Sequence, residues 1–200
     1  NASKSHKLAV IPSEDDIHGP EEAILSALDQ DTALLTLSLT TFKSGYTYDL
    51  ARLTDAAHTA GALVLWDLSH SVGVVPIDLG GCGVDLAVGC TYKYLNGGPG
   101  APSFVFAARR LHERLHPPLW GWMGHAAPFE FAGDYRPAPG VASLRVGTPP
   151  ILSLAALECG VSSIAEIGIE TLRAKSVRLA LAAACSTHVS GVGALSRDRS

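Results

Sequence analysis

The 200-residue sequence lacks any apolar run approaching the roughly 20 residues that a membrane-spanning helix needs, and no positively charged start leads into an apolar signal segment. The chain is therefore expected to be neither exported nor anchored. Charge is also scarce: charged residues make up 17% of the chain and the net charge is −4. Without a large basic field, nucleic acid and anionic membranes are not expected partners, and any phosphate would be held locally. Cysteine is limited to Cys82, Cys90, Cys159 and Cys185, with no CxxC pair and no Cys/His set of zinc spacing. This predicts buried, reduced thiols in a cytoplasmic protein, and no metal site.

What is present is apolar content, 47% of the chain, enough to fill the core of one domain or one and a part. Residues 33–39, 62–66 and 84–89 are apolar runs too short for typical helices, which reads as buried parallel strands. Between the first two, residues 49–60 carry Leu and Ala at helical spacing, with Asp49 as N-cap and Gly61 as stop. Strand, helix and strand make a βαβ unit, so the fold class is α/β with a mainly parallel sheet and helices on both faces. Pro20 and two glutamates fit the first turn of an earlier helix. The glycine-rich residues 73–83 read as a connection, without the spacing of a phosphate-binding loop. Residues 108–116 read as a short basic helix whose Arg109, Arg110 and Arg114 form a solvated face, and 151–164 and 170–184 read as helices. From Cys185 onward the Gly/Ser-rich composition predicts a frayed tail.

Asp67 follows the second strand candidate and Lys93 the third, 26 residues apart. Carboxyl ends of parallel strands share one edge of an open α/β sheet, the edge where ligands bind, so both side chains are candidates for one pocket. A lysine that bonds covalently to pyridoxal phosphate and an acid that keeps the ring nitrogen protonated are the minimum set for using that cofactor as an electron sink. Spacing alone fits two solvated loop residues as well.

The motifs themselves are more specific. "DLSHSVG" around Asp67 and "GCTYKYLNGGPGAP" around Lys93 resemble the aspartate and lysine motifs of the kynureninase family, pyridoxal-phosphate enzymes of the aspartate-aminotransferase fold. "GWMGHAAPFEF" (121–131) and "GTPPILSLAALE" (147–158) resemble the same family in the same order, and the resemblance runs from about residue 34 to about residue 178. It implies a fold type I large domain truncated at both ends. Residues 1–165 would be part of that domain, and 166–200 the start of a connection to a small domain, with a divergent tail. Residues 103–107 would form a strand antiparallel to the others.

The resemblance also implies roles. Lys93 carries the cofactor aldehyde and, once freed, removes the α-proton of the substrate; Asp67 pairs with the ring nitrogen. Tyr92 reaches the cofactor phosphate and serves as a proton relay, Ser38 lies close to the cofactor, and His70 contacts its surroundings. Trp122 and Thr148 reach the phosphate of a neighbouring subunit, which implies a homodimer with its active site at the interface. The aromatic loop 119–131 agrees with such burial. The implied reaction is hydrolysis of L-kynurenine, or 3-hydroxykynurenine, to an anthranilate and L-alanine, in tryptophan catabolism and NAD biosynthesis. Two other readings stay open at this point. One is desulfurase or aminotransferase chemistry on the same fold; the other is a non-catalytic fragment, since the family's ring-stacking segment would precede Asn1 and its substrate-binding arginine would follow Ser200.

Overall fold

The computed structural model describes residues 6–131 and 133–189. Helix α1 (Glu21–Ala27) starts after Pro20 with Glu21 and Glu22 in its first turn, where negative charge complements the helix dipole. Strand β1 (Leu34–Ser38) follows, then α2 (Leu50–Thr59). The Asp49 side chain caps α2 by accepting from the Arg52 N–H at 3.0 Å, and the chain leaves the helix through Gly61 with φ at 85°. Strands β2 (Leu63–Asp67), β3 (Leu86–Cys90) and β4 (Ser103–Ala107) complete a sheet of order β1-β2-β3-β4. Its first three strands are parallel and β4 runs antiparallel to β3, as the resemblance implies.

Alternation along the strands sets the core. Val64 and Trp66 of β2 and Ala87 of β3 are fully buried against Leu53 and Ala57 of α2 and Ile24 of α1. Trp66 is satisfied as well as packed, because its indole N–H donates to the buried Thr54 hydroxyl at 3.1 Å. The opposite face presents Leu63, Leu65, Leu86 and Val88, only half-buried, with Leu34 and Val105 exposed at the edges. Helix packing on the sheet is thus concentrated on one face among the described residues.

The base of the sheet is pinned by a residue that the apolar run conceals. Asp85 is 1% exposed, and its carboxylate accepts from the Val64 N–H (2.9 Å) and the Arg110 guanidinium (2.6 Å) and contacts His58 Nε2 (2.8 Å). Arg110 therefore does not belong to a purely solvated face: it also donates to the Gly83 carbonyl at 2.7 Å. The basic segment is a 3-10 helix, Arg109–Arg114. With β4 just before it and Pro117 and Pro118 just after, the segment has too little length to propagate an α-helix.

After an irregular stretch come α3 (Ile151–Ile167) and α4 (Ile169–Val189), separated by Gly168 at φ 84° and bent by 82°. The expected frayed tail is helical as far as Val189, and residues 190–200 lie outside the described residues. No single described helix is long and apolar enough to cross a membrane.

Candidate active site at the carboxyl edge of the sheet

Parallel register places Ser38, the last residue of β1, beside Asp67, the last residue of β2. The Ser38 hydroxyl donates to Asp67 Oδ2 at 3.3 Å, and the Ser69 N–H donates to Oδ1 at 2.9 Å. Burial pushes the Asp67 carboxyl up, but hydrogen bonds from the Ser69 side chain and N–H and from Ser38, with the nearby His70, outweigh it and hold the group below the usual carboxylate range. The result is an ionised carboxylate in a half-buried position.

The chain turns directly after Asp67. Leu68 O accepts from the N–H groups of Ser71 and Val72, both at 2.9 Å, so residues 68–72 fold into a tight turn that projects His70. One strand over, β3 ends at Cys90 and the loop 91–102 leads to β4. That loop closes on itself through Gly97 N–H to Thr91 O (3.0 Å), Asn96 N–H to Lys93 O (3.1 Å) and the Thr91 hydroxyl on Pro102 O. Lys93 Nζ reaches back to within 2.8 Å of His70 Nε2 and lies 5.5 Å from the Tyr92 ring centroid. Phe42, from the loop after β1, lies with its ring 6.1 Å from that of His70.

The two loops also touch through backbone. Gly73 has φ at 88°, and a Cβ there would sit 2.4 Å from the Tyr94 carbonyl oxygen. Glycine at 73 therefore has a double requirement that the sequence reading, which took residues 73–83 as a plain connection, does not contain. Behind the lysine loop, a Cβ on Gly160 of α3 would sit 2.4 Å from Leu95 O, so α3 lies directly on the loop backbone.

Four of the sequence-derived residues, Ser38, Asp67, His70 and Lys93, thus meet at one edge. Tyr92 adjoins them with its side chain half exposed and no hydrogen bond on its hydroxyl among the described residues. Trp122 and Thr148 do not join the group. Trp122 packs edge-to-face on Phe129 at 5.7 Å, Thr148 is exposed, and no hydrogen bond or ring contact links either to the four. Residues missed by the sequence reading are Ser69 and Phe42, whose only signal is proximity to Asp67 and Ser38 in the chain.

The arrangement suits pyridoxal phosphate. A carboxylate kept ionised by its neighbours matches a protonated ring nitrogen, and a half-buried amine that contacts an imidazole and the Tyr92 ring, with no carboxylate paired to it among the described residues, is available for covalent attachment. Comparison with known proteins agrees with the fold and with the motifs. Residues 1–187 match the class-V aminotransferase family. The chain is 46% identical over 163 residues to a kynureninase of Pseudomonas fluorescens, covering 82% of this chain and 39% of that protein. It thus spans about two fifths of the length of the curated relatives it matches. Among solved structures, the cysteine desulfurase of Thermococcus onnurineus NA1 superposes with a TM-score of 0.67 at 19% identity, over 82% of this chain and 40% of that one. The Escherichia coli cysteine desulfurase CsdA gives 0.69 at 21%, over 86% and 42%. At these identities the structural likeness shows a shared fold type I architecture.

Proposed function

The chain belongs to the class-V aminotransferase family, and on that premise we propose that the protein of which it forms part hydrolyses L-kynurenine, or its 3-hydroxy form, to an anthranilate and L-alanine. The observation that carries this reading is the meeting of Lys93, His70, Asp67 and Ser38 at one sheet edge in a chain 46% identical to a kynureninase. Pyridoxal phosphate, when bound, would supply the electron-withdrawing group that makes the substrate's carbon–carbon bond breakable. The remaining work falls to side chains.

Lys93 holds the cofactor and then, as a free amine, takes the substrate's α-proton. Asp67 keeps the ring nitrogen charged, and the Ser38 and Ser69 donors keep Asp67 ionised. His70, in contact with Lys93 Nζ, orients the amine. Tyr92, whose ring centroid lies 5.5 Å from Lys93 Nζ, binds phosphate and relays a proton. Trp122 and Thr148 complete the phosphate site of a second subunit, which fits the lack of a hydrogen bond or ring contact between them and the group in their own chain among the described residues. In this reading residues 1–165 belong to the cofactor-binding domain and the break at Gly168 marks the connection onward. The protein acts in the cytoplasm, in tryptophan breakdown, consistent with four free cysteines, although the expected burial of the thiols does not hold: Cys82 and Cys90 are half-buried and Cys159 and Cys185 exposed.

The test is chemical. The full-length protein is incubated with pyridoxal phosphate, reduced with borohydride and digested, and the modified peptide is mapped. Label is expected on Lys93; label on Lys43 or Lys175 with Lys93 clean would refute the assignment. Release of anthranilate from L-kynurenine by the same preparation tests the reaction.

A further inference from the structure

Ser69 sits where two strands part, and its bonds run to both. The last backbone bond of the β2–β3 ladder is Leu68 N–H to Val88 O at 2.8 Å. A parallel ladder would next pair the Cys90 N–H with Leu68 O. That carbonyl is already taken, because it accepts from Ser71 and Val72 in the turn. The Cys90 N–H donates instead to the Ser69 hydroxyl oxygen at 3.3 Å, and the Cys90 thiol donates to Ser69 O at 3.7 Å. The N–H of Ser69 itself is spent on Asp67 Oδ1 at 2.9 Å.

One residue therefore ties the carboxylate at the end of β2 to the end of β3, three residues before Lys93. We propose that Ser69 is a positioning residue whose hydroxyl replaces the missing ladder carbonyl and thereby sets the spacing between the Asp67 carboxylate and the Lys93 amine. The inference rests on the reading of Asp67 and Lys93 as the cofactor pair. Alanine at 69 would keep the N–H on Asp67 but lose the hydroxyl's own support of that carboxylate, and would leave the N–H of Cys90, at the half-buried end of β3, without its acceptor. Threonine would keep both bonds. Cysteine would keep the shape with a weaker acceptor.

The experiment compares Ser69→Ala, Ser69→Cys and Ser69→Thr in the full-length protein, with Asp67→Asn as control. Three quantities are read: amide hydrogen exchange at Cys90, the pyridoxal-phosphate dissociation constant, and the pH at which the absorbance of the bound cofactor changes. Ser69→Ala is expected to speed Cys90 exchange, weaken cofactor binding about fivefold, as for one ordinary hydrogen bond, and shift the pH profile. Ser69→Cys should fall between Ala and wild type, and Ser69→Thr should match wild type in all three. Faster exchange with unchanged cofactor affinity and pH profile would make Ser69 a ladder group only and overturn the inference, as would a threonine variant as impaired as the alanine one. If Asp67→Asn itself leaves the pH profile unchanged, the pairing of Asp67 with the cofactor is what has failed.

Discussion

Asp67 and Asp85 lie near opposite ends of the strands, and both are held ionised against the effect of burial, by different company. Around Asp67 the donors are neutral hydroxyl and amide groups, which leaves its charge available to a ligand. Replacing it with Asn in the full-length protein should remove roughly 1.5–3 kcal/mol of charge-assisted interaction, lowering turnover about ten- to a hundredfold. Cofactor content should fall much less; an Asn variant with near-normal turnover would exclude Asp67 as the ring's partner. Asp85 instead has its charge consumed by His58, the Val64 N–H and Arg110, which together outweigh burial and hold its carboxyl below the usual range. A depressed folded-state value means that this contribution to stability is complete above the unfolded carboxylate value of about 3.9 and is lost as pH falls through the folded one. Asp85→Asn should therefore cost roughly 2–3 kcal/mol at neutral pH and flatten the acid limb of a plot of urea midpoint against pH. An unchanged midpoint at pH 7 would show the cluster to be incidental. Asp67 was legible in the sequence because it ends an apolar run inside a specific motif. Asp85 was not, since its partners lie 27 residues before it and 25 after it and meet it only once the sheet is assembled.

The lysine loop owes its shape to the elements around it. Its backbone is pressed between the turn after β2, at Gly73, and helix α3, at Gly160. Gly160→Ala sets two effects against each other: alanine favours a helix interior by about 1 kcal/mol, while its Cβ would meet the Leu95 carbonyl at 2.4 Å. The obstacle is backbone, which yields less easily than a flexible side chain, so overpacking of about 1–3 kcal/mol should win. The melting temperature and cofactor affinity are both expected to drop; a rise in melting temperature with unchanged affinity would show that the loop yields freely. The three parallel strands, the capped α2 and the two long helices were readable from apolar runs, periodicity and end signals, with boundaries displaced by one to a few residues, whereas antiparallel β4 followed from the family resemblance. Contacts between loop and helix backbones were not, because a glycine pattern does not say which partner it admits. The 3-10 segment after β4 was missed for a related reason: its basic side chains suggest a solvated helix, and only the fold shows that Arg110 has a buried acceptor.

At the scale of the whole molecule, the loop between β4 and α3 keeps a large apolar surface in water. Trp120, Phe129 and Phe131 are 70%, 72% and 83% exposed, beside Trp122 at 44%. Such a patch is characteristic of an interface. It lies on the segment whose Trp122 is assigned to a neighbour's phosphate site, so the dimer proposal has a consequence that a monomer does not share. In an isologous pair each site would draw Lys93 from one subunit and Trp122 from the other. Two full-length variants, Lys93→Ala and Trp122→Ala, should each be impaired, the first completely. When they are unfolded, mixed in equal amounts and refolded together, half of the dimers formed at random are hybrids. In each hybrid one site carries both lesions, and the other combines an intact Lys93 with an intact Trp122. The mixture should therefore recover about a quarter of wild-type anthranilate production, from one working site in every four. Trp122 acting within its own chain predicts otherwise: every site with Lys93 would then lack Trp122, and mixing would give no more than the average of the two variants measured separately.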